Sequence, residues 1–143
     1  MTSSPRPQKI LIAEKDKSIR DTLVEYFKHA GYEAYGVCER QDIVARAVGE
    51  GCSVVVLDYH LSSGQHPEIL DELLQADAAI CVVLLTSYAL VELVIDAYRR
   101  GAFDVVPKPL DLFELGEVVE RAFAQHELNM IHAFVRQNMN RIR

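Results

Sequence analysis

The chain lacks an apolar run long enough to cross a lipid bilayer. Its longest uninterrupted apolar stretch, Ala78 to Leu85, falls far below the ~18 residues that a membrane span requires. The start, Met-Thr-Ser-Ser-Pro, also lacks the apolar region of a secretory signal. We therefore expect a cytoplasmic protein that does not bind membranes.

Basic residues and paired cysteines are also scarce. A formal net charge of -6 argues against nucleic-acid binding, which needs a basic face, so a protein partner is favoured. Cys38, Cys52 and Cys81 form no C-x-x-C pair, which argues against a zinc or redox motif. We expect all three to be thiols of the core.

Short apolar runs alternate along the chain with longer segments of helical periodicity. At 143 residues and 50% hydrophobic content, the chain is long enough for one domain with a sizeable core. Predicted strands are Ile10–Ala13, Glu33–Val37, Ser53–Leu57, Ala79–Leu85 and Phe103–Val106. Helices are predicted over Ser18–Ala30, Gln41–Glu50 and Ala89–Arg100, with two more starting near Pro67 and Asp111.

This alternation of strands and helices predicts an α/β fold with a parallel sheet. The third and fourth strands are almost wholly apolar, as strands covered on both faces must be. The chain is too short for an eight-stranded barrel, so an open, doubly wound sheet is favoured. We assign residues 1–8 to a disordered lead, 9–125 to the domain and 126–143 to a C-terminal helical extension.

Polar residues follow the apolar runs at the strand ends. In a doubly wound sheet the ligand site lies beyond the carboxyl ends of the strands. The residues predicted there are Glu14, Lys15, Asp16, Asp58, Thr86, Ser87 and Lys108.

Asp58, Thr86 and Lys108 together suggest phosphoryl chemistry on an aspartate. The Asp58 carboxylate could accept a phosphoryl group, while the Lys108 ammonium and the Thr86 hydroxyl stabilise its charge. Taken singly, each residue has an ordinary explanation, such as a helix cap, a turn or a solvated loop charge. The Lys108-Pro109 bond is a candidate cis peptide, because only X-Pro bonds adopt that form at low cost.

Four segments resemble the receiver domain of bacterial two-component response regulators: Lys9–Asp16, Val54–Asp58, Leu84–Ser87 and Gly101–Pro109. The resemblance covers about residues 8–126 and implies a flavodoxin-like five-stranded parallel sheet in the order 2-1-3-4-5. It further implies that Asp58 is the phosphoacceptor for a sensor histidine kinase or phosphotransfer protein. Thr86 and Ser87 with Lys108 would contact the phosphoryl group, and Mg²⁺ would assist.

The metal site departs from the family pattern. The family has two adjacent acids after the first strand, and the second binds Mg²⁺; here the pair reads Glu14-Lys15. An ammonium cannot ligate Mg²⁺. We expect Lys15 to form an ion pair with Asp58 in place of the metal; the alternative is that Lys15 turns to solvent and Glu14 or Asp16 partly replaces the lost ligand.

Two further departures from the family pattern concern the residue that moves on activation and the loop after Asp58. Val105 stands where the family usually has an aromatic side chain that moves inward on activation. The predicted loop Tyr59–His66 lacks the family's proline and acid-glycine pair. His60 stands at the position whose backbone carbonyl usually faces the metal in the family. A solvated loop histidine is nevertheless the simpler interpretation for His60 and for His66.

The last predicted helix continues past the domain with a coiled-coil pattern. Its seam residues recur at steps of three and four: Leu128, Ile131, Val135, Asn138 and Ile142. A homodimer through this helix is one interpretation; a frayed amphipathic tail is the other, because two heptads are marginal alone.

Three functions remain open on the sequence. The first is a phosphorylatable receiver that is not an enzyme beyond its own dephosphorylation. The second is a pseudo-receiver that acts as a phosphorylation-independent interaction module because Lys15 replaces an acid. The third, a dehalogenase-type phosphatase, is disfavoured because His60 stands where that class needs its acid-base carboxylate.

Overall fold

The computed structural model describes residues 7–62, 68–87 and 90–142. Its sheet has five strands: β1 Lys9–Ala13, β2 Glu33–Val37, β3 Val54–Asp58, β4 Cys81–Thr86 and β5 Asp104–Pro107. Their order is β2-β1-β3-β4-β5, and every neighbouring pair is parallel. The predicted fold class and strand order are confirmed.

The helices described are α1 Lys17–His29, α2 Ile43–Glu50, α3 Tyr59–Ser62, α4 Ile69–Ala76, α5 Val91–Arg99 and α6 Leu112–Ile142, with a 3₁₀ turn at Arg40–Asp42 before α2. The short helix α3 was not predicted, so the expected loop after Asp58 begins as a helical turn. Pro67, expected near the start of α4, and His66 lie outside the described residues.

Side chains of the central strands alternate between two apolar cores. Leu11, Val55 and Leu57 face a core that includes residues of α2 and α4. The intervening residues Ile10 and Val54 face a second core, built with residues of α1 and α6. This alternation places helices on both faces of the sheet, which is why the central strands have no polar face.

The cysteine prediction is partly wrong. Cys52 and Cys81 are buried, and burial raises the pKa of each thiol to about 11. Cys38 is partly exposed, because it follows the last residue of β2 rather than lying within a strand. Only two of the three thiols therefore belong to the core.

Helix α6 extends well past the sheet. Its 31 residues span roughly 46 Å at the α-helical rise. Asn129 donates a hydrogen bond of 3.2 Å to the carbonyl of Ala79, just before β4. The predicted boundary between 125 and 126 thus falls inside one continuous helix that still contacts the domain at Asn129. No helix in the described part of the chain is long and apolar enough to span a membrane.

Candidate functional site

The parallel strands bring the predicted acid, hydroxyl and ammonium to one edge of the sheet. Asp58 is the last residue of β3 and Thr86 is the last residue of β4. Lys108 follows β5, and its backbone N–H donates a 2.8 Å hydrogen bond to the Thr86 carbonyl. The Lys108-Pro109 peptide bond is cis, as the sequence suggested. The three residues thus stand at the ends of adjacent strands.

The Lys108 ammonium bridges two buried carboxylates. Its Nζ lies 3.1 Å from Oε2 of Glu14 and 3.3 Å from Oδ1 of Asp58. Glu14 and Asp58 are only 2% and 3% exposed, so both carboxylates depend on protein partners rather than on water. One cation therefore joins the ends of β1 and β3 to the loop after β5.

This arrangement perturbs the lysine. Burial by itself lowers the pKa of Lys108, but the hydrogen bond to Glu14 and the charges of Asp58 and Glu14 outweigh it and raise that pKa above its usual range. Lys108 is therefore held in its charged form, which is the form that can stabilise negative charge on a group transferred to Asp58.

Lys15 does not take the place that we expected. Its side chain is exposed, and among the described residues its ammonium forms no ion pair with Asp58. The cation paired with Asp58 is Lys108 instead. The expected Lys15–Asp58 ion pair is thus absent from this structure, because the backbone turns away from the sheet directly after Glu14.

Asp16 and Arg20 hold that turn. The Asp16 carboxylate accepts a hydrogen bond from the Ile19 N–H and caps α1, and the Asp16 N–H donates to Oε1 of Glu14. The Arg20 guanidinium donates to the Glu14 carbonyl at 2.8 Å and to the Lys15 carbonyl at 3.3 Å. The sequence reading missed Arg20; its place one turn into a capped helix was the only signal available.

The remaining predicted residues lie around this cluster. Ser87 is exposed in a bend directly after Thr86, which is itself fully buried. His60 is exposed on α3, with its ring 6.1 Å from the ring of Tyr59 in an edge-on contact. Val105 is half-buried and packs against the core that includes α2 and α4.

The fold and the site define a class of protein. A doubly wound sheet in this order, with an aspartate, a threonine and a lysine at the ends of neighbouring strands, is that of a flavodoxin-like α/β protein with an aspartate-centred site. The sequence profile of the response regulator receiver domain matches residues 10–120. The chain therefore belongs to the response regulator receiver domain family.

Similar proteins include regulators and phosphotransfer proteins. The chain is 32% identical over 114 residues to regulatory protein AtoC of Escherichia coli, covering 80% of this chain and 25% of AtoC. It is 26% identical over 114 residues to sporulation initiation phosphotransferase F of Bacillus subtilis, covering 80% of this chain and 92% of that protein. NtrX of Brucella abortus superposes with a TM-score of 0.79 at 25% identity, over 89% of this chain and 29% of NtrX. The chain spans about a quarter of the length of several relatives, AtoC among them.

The residues present fit Mg²⁺ poorly, although receiver domains typically use it. In the described part of the chain, no group of three or more His, Cys, Asp or Glu residues is placed to hold a metal ion. Glu14 and Asp58 already share the Lys108 ammonium, and Asp16 caps α1. Mg²⁺ usually binds through one or two carboxylates and keeps several waters, but both carboxylates here are already paired with an ammonium, and Lys15, next to Glu14 in the chain, adds a second positive charge.

Proposed function

We propose that this chain is a receiver that accepts a phosphoryl group on Asp58 and signals through protein contacts. The main observation in support is the cluster in which Lys108 bridges Glu14 and Asp58 at the carboxyl edge of the sheet. The donor would be a sensor histidine kinase or a phosphotransfer protein, in keeping with the family and with a cytoplasmic location. The receiver would turn over no separate substrate.

The roles at the site follow from their chemistry. An oxygen of Asp58 forms a bond to phosphorus while the bond from phosphorus to the donor's leaving atom breaks. Lys108 stabilises the phosphoryl oxygens as a point charge. The hydroxyls of Thr86 and Ser87 would turn toward the same oxygens as hydrogen-bond donors.

A groove beside Lys108 gives a donor access to this edge. It has a volume of about 380 Å³ and lies between α1 and the chain after β5, and it is lined by Ser18, Ile19, Thr22, Leu23, Lys108, Pro109, Leu110 and Leu112.

Intact-protein mass spectrometry after reaction with acetyl phosphate tests this function. We expect a mass increase of one phosphoryl group, lost in Asp58→Asn but retained in Asp42→Asn. Asp42 is the matched control because it is exposed and its carboxylate caps no helix. An adduct that survives Asp58→Asn would place the acceptor elsewhere.

The second candidate is a pseudo-receiver that binds its partner without phosphorylation. Two observations favour it: Lys15 replaces an acid, and Asp58 is already ion-paired with Lys108. This function predicts no adduct from acetyl phosphate or from a kinase at any Mg²⁺ concentration, and partner binding that is unchanged in Asp58→Asn.

A homodimer through α6 forms part of the proposal. The seam residues Leu128, Ile131 and Val135 are 49%, 55% and 44% exposed, so their apolar surface is uncovered in the single chain. In a parallel coiled coil, Glu127 would face His132 of the partner subunit, which gives a complementary pair. A second copy of this chain is thus the occupant that the seam fits.

Light scattering after size-exclusion chromatography tests the dimer. Ile131→Glu should shift the protein toward monomer, because it places a charge in the seam. Met130→Glu is the matched control, since Met130 is an equally exposed apolar residue that lies outside the seam. A wild-type protein that is monomeric at all concentrations would contradict the dimer.

A further inference from the structure

The replacement at position 15 changes the charge of the site by the charge of one Mg²⁺ ion. With an acid at that position, three carboxylates and the Lys108 ammonium would carry a net charge that one divalent cation neutralises. With Lys15, the carboxylates of Glu14 and Asp58 are balanced by two ammonium groups. Asp16 and Arg20, one charge of each sign, are engaged in the turn and leave this balance unchanged.

The backbone that carries Lys15 is fixed rather than free to rearrange. The Arg20 guanidinium donates to the carbonyls of Glu14 and Lys15, one on each side of the Lys15 α-carbon, and the Asp16 N–H donates to the Glu14 carboxylate. The turn is therefore held from the helix side and from the site side. Only the side chain of Lys15 retains freedom.

The strand register brings Lys15 close to the level of the phosphoacceptor. Ala13 pairs with Leu57, so Lys15 leaves the sheet one residue beyond the level of Asp58. Neighbouring strands are about 4.8 Å apart, and a lysine stem of four carbons is long enough to cross that gap. Its exposed ammonium, which has no ion-pair partner among the described residues, can reach a group bound on Asp58.

We propose that Lys15 and Lys108 hold the phosphoryl group of Asp58 in place of a divalent cation, so that this receiver excludes Mg²⁺ and works without it. The inference rests on the proposed phosphorylation of Asp58. Lys108 binds the phosphoryl oxygens from the side of β5, and Lys15 binds them from the side of β1.

The atoms and electrons of the phosphoryl transfer balance without a metal. With acetyl phosphate as donor, an oxygen of Asp58 forms the new P–O bond. The bond from phosphorus to the acetyl oxygen breaks, and acetate leaves with the electron pair. No proton is transferred in this step, so the two lysines act as fixed charges rather than as acids.

The first test measures Mg²⁺ binding without any reaction. Thermal unfolding is followed with and without millimolar Mg²⁺ for the wild type and for Lys15→Asp. A ligand that binds only the folded state raises the melting temperature. We expect no shift for the wild type and an upward shift for Lys15→Asp. A wild-type shift as large as that of the variant would overturn the inference.

The second test measures the adduct with acetyl phosphate, in EDTA and in Mg²⁺. The wild type should form the adduct at the same rate in both. Lys15→Gln should be slower by roughly 10- to 100-fold, which is the effect of losing a charged hydrogen bond. Lys15→Asp should become dependent on Mg²⁺.

Lys17→Gln is the matched control. It removes one exposed ammonium two residues away, which pairs with Asp21 on α1 and lies outside the site. It should leave the rate unchanged. Adduct formation by the wild type only in Mg²⁺ would overturn the metal-free site but leave the receiver function standing. If neither the wild type nor Lys15→Asp forms an adduct under any condition, phosphorylation of Asp58 is refuted instead. The unfolding measurement would still decide whether the site excludes Mg²⁺.

Discussion

Replacing Lys108 with methionine should destabilise the domain by about 3 kcal/mol at neutral pH. The ammonium lies 3.1 Å from Glu14 and 3.3 Å from Asp58, where each direct attraction is roughly 5 kcal/mol at an effective dielectric constant of 20. Desolvation offsets much of this. Breaking a buried ion pair costs about 3 to 5 kcal/mol, and the lower end applies because the Lys108 side chain is still 16% exposed.

Urea unfolding followed by circular dichroism measures this loss. A double-mutant cycle with Asp58→Asn then isolates the pair: the coupling between Lys108 and Asp58 should be about 1 to 3 kcal/mol. Lys17→Met provides the control, because its ion pair with Asp21 is exposed to solvent and should contribute little to stability.

One result would refute this reasoning. If Lys108→Met and Lys17→Met lower the free energy of unfolding equally, the two carboxylates do not depend on Lys108. A coupling near zero between Lys108 and Asp58 would lead to the same conclusion, whatever the single variants cost.

Three further outcomes follow from the same structure. The difference in unfolding free energy between wild type and Lys108→Met should persist at neutral pH and be lost only as pH rises through the raised pKa of Lys108. The reason is that a group whose pKa is higher in the folded state stabilises that state at pH values where it is charged; urea titrations across alkaline pH measure the loss. In the native protein only Cys38 should react quickly with a disulfide reagent such as DTNB, since burial raises the pKa of Cys52 and Cys81 to about 11; a second fast thiol would contradict the burial. Asn129→Ala should cost about 1 kcal/mol in urea, through the lost hydrogen bond to the Ala79 carbonyl.

The strands could be predicted because burial on both faces leaves a strong signal. β2 has the predicted bounds, Glu33–Val37, and the other strands differ from prediction by one or two residues at their ends. The end of β3 was misplaced because Asp58 is polar yet its backbone still pairs with Leu85 in β4. Hydrophobic pattern detects the buried part of a strand, whereas hydrogen bonding determines where it ends.

The partner of Asp58 could be predicted only in part. Spacing placed Lys108 and Lys15 at the correct edge, because parallel strands end together. It did not show which ammonium would contact Asp58, since the direction of a side chain after a strand depends on the turn that follows. Here the Asp16 cap and the Arg20 contacts set that turn.

Helix α3 could not be predicted for a different reason. Its four residues, Tyr59–Ser62, are fewer than two helical turns, so no apolar periodicity can develop. Its stability comes instead from tertiary packing, in which Leu61 is buried against the core.

Helix α6 runs the full depth of the domain in the direction opposite to the strands. It begins at Leu112, close after Lys108, and reaches Ala79 at the far edge through Asn129. The C-terminal part of α6 therefore leaves the domain at the end remote from Asp58. In a parallel coiled coil both domains would lie at the same end of the joined helices, with each phosphoacceptor on the side of its domain that faces away from the joint, so a kinase could approach either one without dissociating the pair.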